Sequence, residues 1–197
     1  MTLVVPQLVA RAPQERWLWQ DAAMGNTRAW PVLRTTSLGE ALSLAERLLS
    51  VASWHDPTSF LHASASSDDD LLRLTAALPG AEIESLGKGG VGLPVSFLGY
   101  ARTFAEAGEA LRTWADVTQC YLLWSDMKWP AVPELGLGEE YKYAELEIAC
   151  HGSDIHCFDW APEHTVFVHS RPGDDDRAAW LAAQVGAGVV GPPEFGW

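Results

Sequence analysis

The sequence predicts an α+β domain: a mixed or antiparallel sheet flanked by three to four helices. Three observations carry that prediction. Short β-like runs alternate with helical segments along the whole chain, and two of the helices open with a capping box. Hydrophobic residues make up 48% and charged residues 20% of 197 positions, enough apolar surface for a core and too little charge for disorder. The length suits one domain over 1–197, with 1–100 and 101–197 as alternative subdomains.

Arg16 to Gln20 (RWLWQ) reads as an aromatic strand, and Pro31 to Thr36 leads into the first helix. Ser37 with Glu40 starts that helix, and Leu38, Ala41, Leu42, Ala45, Leu48 and Leu49 follow at helical spacing. Thr58 to Ala65 is β-like. Asp68 to Asp70 then offset the macrodipole at the start of a helix running to Leu78, where Pro79 and Gly80 stop it. Ala81 to Leu86 is a strand candidate, followed by a Gly-rich loop and the apolar run Leu93 to Tyr100. Thr103 and Glu106 cap a helix with Phe104, Ala107, Leu111 and Trp114 on one face, and Cys120 to Trp124 is the next strand.

Lys128 to Gly138 (KWPAVPELGLG) is too broken by Pro and Gly to be regular, the kind of loop that often carries function. Glu145 to Ala149 and Ile155 to Trp160 read as a hairpin turning near Gly152 and Ser153, with Thr165 to Ser170 as a further strand. Asp174 to Asp176 open the last helix, with Ala178, Leu181, Ala182 and Val185 buried, before a Gly/Pro-rich tail. Thr58, Phe60, His62, Asp68, Asp69, Leu74 and Ala76 recur 107 positions later as Thr165, Phe167, His169, Asp175, Asp176, Leu181 and Ala183. A diverged internal duplication would explain this. GEAL, however, recurs at a spacing of 69, at Gly39 to Leu42 and Gly108 to Leu111, and the two offsets conflict.

Charge excludes some functions. Thirteen basic against 26 acidic side chains give a net charge of −13, a surface that repels phosphate backbones and anionic lipid. Residues 1–100 carry 7 basic and 10 acidic groups and residues 101–197 carry 6 and 16, so the acidity lies in the second half. No segment has the length and apolarity of a membrane span, and the N-terminal run lacks the basic start of a signal peptide. Three cysteines, an odd number, suit a reducing compartment, and the expectation is a cytoplasmic protein, monomeric or homodimeric.

GKGGVG at Gly87 to Gly92 lacks the Lys-Ser/Thr ending of a phosphate loop, and Leu93-Pro94 stand where its helix should begin. Cys150, His151, His156 and Cys157, with His164 and His169 nearby, supply zinc-type ligands. On a regular strand the members of each adjacent pair point to opposite faces, and no CxxC or HxxxH spacing is present. No GxSxG elbow or protease-type cysteine signature occurs, so no catalytic residue, cofactor or metal ligand is assigned. Of ten tryptophans, Trp17, Trp19, Trp124 and Trp160 are expected in the core, and Trp129 and Trp197 on the surface.

Residues Glu134 to Trp160 (ELGLGEEYKYAELEIACHGSDIHCFDW), with Asp174 to Asp176, combine an irregular loop with an acidic hairpin. In this character the chain resembles the small acidic immunity proteins that bacteria pair with polymorphic toxins. The resemblance implies a non-enzymatic protein that covers the basic active site of a nuclease-like toxin. On that logic Glu139, Glu140, Glu145, Glu147, Asp154 and Asp159 form the charged face, with Trp129 as an aromatic anchor. The alternatives are a metal protein or hydrolase built on the Cys150, His151, His156 and Cys157 cluster, and a carbohydrate-binding or structural module using exposed Trp.

Overall fold

The computed structural model describes residues 27–79, 82–85, 93–155, 157 and 159–196. They form one antiparallel sheet with four helices, in an α+β fold. The strands are β1 (Arg28–Thr35), β2 (Ser53–Ala65), β3 (Glu82–Ser85), β4 (Val95–Ala101), β5 (Cys120–Lys128), β6 (Glu145–Gly152), β7 (Trp160–Ser170) and β8 (Glu194–Phe195). The helices are α1 (Leu38–Val51), α2 (Asp68–Ala77), α3 (Phe104–Ala115) and α4 (Asp175–Gln184). The segments 1–10 and 16–20, the Gly-rich loop 87–92, His156 and Trp197 lie outside the described residues.

Local chemistry accounts for the helix starts. The hydroxyls of Ser37, Ser67 and Thr103 accept from the backbone N–H of Glu40, Asp70 and Glu106, satisfying donors that a helix start leaves open. Each cap has a carboxylate returning near it: Glu40 Oε2 accepts from Thr35 Oγ1 at 2.6 Å, and Glu106 Oε2 from Arg102 N–H at 2.8 Å.

Strand order is β3-β4-β2-β5-β6-β7-β1-β8, which reads as two half-sheets joined between β5 and β6. In the first, β4-α3-β5 brackets β2, and β2-α2-β3 brackets β4. In the second, β7-α4-β8 brackets β1, so β8, β1, β7 and β6 match β3, β4, β2 and β5. Each half has the strand order of a ferredoxin-like split β-α-β unit. The chain leaves the second half after α1, builds the whole first half, and returns at β6.

This topology accounts for the spacing of 107, whereas the GEAL copies, 69 apart, lie in two helices whose starts are offset by 66 and so fall three positions out of register. The N-caps of α2 and α4, Ser67 and Asp174, are 107 positions apart. Those of α1 and α3, Ser37 and Thr103, are 66 apart, and the two helices bury the same faces counted from their caps. In the strands the spacing is 69: Leu98 lies opposite His62 as Ala29 lies opposite His169. The three extra residues fall in β1, which has an irregularity between Pro31 and Leu33 and pairs two positions further along its partner.

All four helices pack on one face of the sheet, over Leu61, Ala63, Phe97, Leu122, Leu146, Ile148, Val166 and Val168. Trp114 is fully buried there, edge-on to Phe97, with its indole N–H donating to the Leu74 carbonyl at 3.1 Å. Phe104 stacks on Trp124 with ring centres 5.6 Å apart. One expected hairpin is corrected. The partner of β6 begins only at Trp160 and runs to Ser170, so the anticipated strands at Ile155 and Thr165 give way to one long β7. Among the described residues no helix is long and apolar enough to cross a membrane.

Candidate functional site

Trp129 is not on the surface. Its side chain is fully buried and its indole N–H donates to the His169 carbonyl at 2.8 Å. The reason is that the irregular loop folds into a narrow antiparallel arm, with bridges Trp129–Glu140 and Val132–Leu137 and a short 3-10 turn at Pro133–Leu135. Helix α4 clamps that arm. The Arg177 guanidinium donates to the carbonyls of Pro130 and Gly138, both at 2.6 Å, and Trp180 Nε1 donates to Glu134 Oε1 at 2.9 Å.

The six carboxylates do not form one face. Glu140 is buried and pairs with Arg171 Nε at 2.9 Å, while Glu139 is exposed, 3.7 Å from Lys128 Nζ. Glu147 is fully buried and Glu145 mostly so, on the sheet face that carries no helix. Asp154 is half-buried beside the exposed Asp159. The alternation of β6 that reads as a solvated acidic edge instead points both glutamates at His169. Its Nε2 lies 3.2 Å from Glu147 Oε2, and its Nδ1 lies 3.1 Å from Thr27 Oγ1 and 3.5 Å from Glu145 Oε2. The two carboxylates address opposite ring nitrogens and so do not converge on one ion. Burial pushes the Glu145 carboxyl above its ordinary range; His169 opposes the shift, and the charges of Glu147 and Asp126 add to it.

The cysteines also separate. Cys150 lies on the helix side with Cys120, whose thiol burial and the Cys150 neighbour push well upward, while Cys157 packs on the opposite face with Ile155, Phe167 and Tyr121. His151 departs from strand alternation at a left-handed φ of 55°, beside the register shift between Cys150 and Gly152. Its ring stacks on Trp160 at 5.7 Å and meets His164 edge-on at 4.8 Å. Trp160, expected in the core, is 60% exposed. Burial, with His151 close by, pushes the His164 imidazole below its ordinary value. Among the described residues no group of three or more His, Cys, Asp or Glu side chains is arranged to hold a metal ion.

The helix-free face of the first half-sheet presents a feature that sequence reading missed. Phe60 and His62 on β2, Tyr100 on β4 and Tyr121 on β5 form a continuous ring surface: Phe60 lies 5.6 Å from Tyr100 and 6.1 Å from Tyr121, and His62 stacks on Tyr121 at 4.9 Å. Leu98 and Leu123 fill in around them. Tyr100 is 60% exposed, and Phe60, His62, Leu98 and Leu123 are partly so. Asp126, at a left-handed φ of 59°, joins Ser125 on this face because β5 resumes its inward alternation at Met127 and Trp129. Period-two spacing of Phe60 with His62 and of Leu98 with Tyr100 was the available signal, but it does not say which strands lie side by side. No family model, curated protein or solved structure matches the chain.

Proposed function

We propose that the chain is a non-enzymatic acidic binding protein of the immunity type, which neutralises a basic, nuclease-like toxin domain by covering its active site. The observation that supports this reading is the partly exposed aromatic surface of β4, β2 and β5, with Asp126 and Glu145 at its border, in a chain of net charge −13. Aromatic side chains on a rigid sheet supply contact area at little entropic cost. A negative field speeds encounter with a cationic surface and disfavours nucleic acid. On this reading contact moves from the Trp129 arm to the sheet, with Tyr100 and Phe60 as anchors and Asp126 as the exposed charge on the same face.

The test starts from a pulldown in host lysate at low and high salt, followed by calorimetry of the purified partner against Y100A and D126K. A basic partner whose affinity falls by about 2 kcal/mol in Y100A, and whose salt dependence weakens in D126K, supports the proposal. A partner indifferent to both substitutions sinks it.

A further inference from the structure

An irregular stretch of backbone surrounds His151. A non-glycine residue at a φ of 55° is uncommon in a strand, and three residues of β7, 161–163, lie opposite it where regular pairing would place one. Side chains hold that irregularity in place. Gln119 Nε2 donates to the His151 carbonyl at 2.7 Å, and Thr165 Oγ1 donates to the Gly152 carbonyl at 2.9 Å. Gly152 fits closely as well, since a Cβ there would stand 2.9 Å from Cys157 Sγ and force it to shift. The result is to bring His151 between Trp160 on one side and His164 on the other.

What this arrangement places together is two imidazoles. Their ring centres are 4.8 Å apart at 60°, His164 is 5% exposed, and Nδ1 of each ring is buried with no hydrogen-bond partner. A buried imidazole nitrogen normally meets a carbonyl, a carboxylate or an ordered water. Two nitrogens coordinating one tetrahedral ion at ordinary bond lengths lie about 3.3 Å apart, a separation compatible with ring centres 4.8 Å apart. Neutral imidazole suits borderline divalent transition cations, and the negative field of the chain favours any cation.

We propose that His151 and His164 form a two-imidazole binding site for a divalent transition cation of the zinc, nickel and copper class, with water completing its coordination. Cys150 and Cys157 take no part, because one packs in the helix-side core and the other on the opposite face. Trp160, stacked on the face of the His151 ring, is the natural optical reporter of the site.

The experiment uses the full chain without a histidine tag, stripped with a chelator and titrated with Zn2+ and then Ni2+ by calorimetry near neutral pH, with tryptophan emission followed in parallel. One equivalent of ion per chain is expected, with a change in emission that W160F removes while retaining binding. H151G is the decisive variant, because glycine accepts the left-handed backbone and the fold is kept. Its affinity, and that of H164Q, should fall by roughly tenfold or more, and the zinc-dependent rise in melting temperature should vanish in both. Absence of stoichiometric binding by the unmodified chain would overturn the proposal. So would undiminished binding by either variant.

Discussion

Replacing Arg177 by alanine should loosen the arm that buries Trp129. The guanidinium is 1% exposed, and its two strongest contacts are the 2.6 Å bonds to the carbonyls of Pro130 and Gly138, on opposite strands of the arm. A third contact, to Asp174 at 3.4 Å, anchors it to the start of α4. A hydrogen bond from a charged donor contributes about 1.5–3 kcal/mol, and a buried carbonyl left without a partner costs about 1–3 kcal/mol. Allowing for water entering the truncated site, the two bonds together make the expected loss about 3–5 kcal/mol. R177K should recover part of it, because an ammonium lacks the planar fork that reaches both carbonyls. Urea denaturation measures the total, and amide exchange across residues 131–138 locates it. A loss below about 1 kcal/mol, or an arm whose exchange is unchanged, would show that α4 does not hold it.

Trp129→Phe keeps most of the buried ring but deletes the bond to the His169 carbonyl, so stability should fall by about 1–3 kcal/mol while affinity for any partner stays the same; denaturation and partner titration read the two effects separately. Gly196→Ala should lower the melting temperature and free the C-terminal tail, because its Cβ would collide with Thr27 Oγ1 and lie 2.8 Å from His169 Nδ1; proteolysis of the tail reports the release. Glu145 has its carboxyl pushed up by burial, so its protonated form is the one folding favours. Its contribution is full below the pKa of the unfolded chain and is lost as pH rises through the raised folded value. Glu145→Gln should therefore be more stable than the parent near pH 7, with the difference shrinking toward about pH 4, as denaturation at the two values would show.

Features set within a few residues were legible in the sequence. The caps at Ser37 and Thr103, and the acidic start at Asp68, depend on groups three positions apart, and α1, α2 and α3 lie where those signals place them. Features set by distant partners were not. The Pro- and Gly-rich composition of 128–138 said irregular, but only Arg177 and His169, some forty positions on, make the segment a closed arm with Trp129 inside. The alternating glutamates of β6 looked solvated because alternation reports two faces and not what covers them. Ile155 and Cys157 from the loop, with Gly196 from the tail, cover much of that face in the second half-sheet. The Cys/His cluster failed as a pattern of alternate faces at His151, where the backbone leaves the regular strand and sets its ring against that of His164.

The nested topology bears on how the chain reaches its native state. Pairing β1 with β7 joins positions as far apart as Arg28 and Ser170, a closure that would be slow if the intervening chain were unstructured. The intervening chain need not be. Strands β2 to β5 pair among themselves, and the first and last residues of that stretch, Ser53 and Lys128, are register partners. Once assembled, the stretch presents two adjacent ends and acts toward the outer strands as a short connection. Strands β2 to β5 are then the part expected to form first and exchange last, leaving β1, β7 and β8 to zip and unzip as a later cooperative unit in which both ends of the described chain meet.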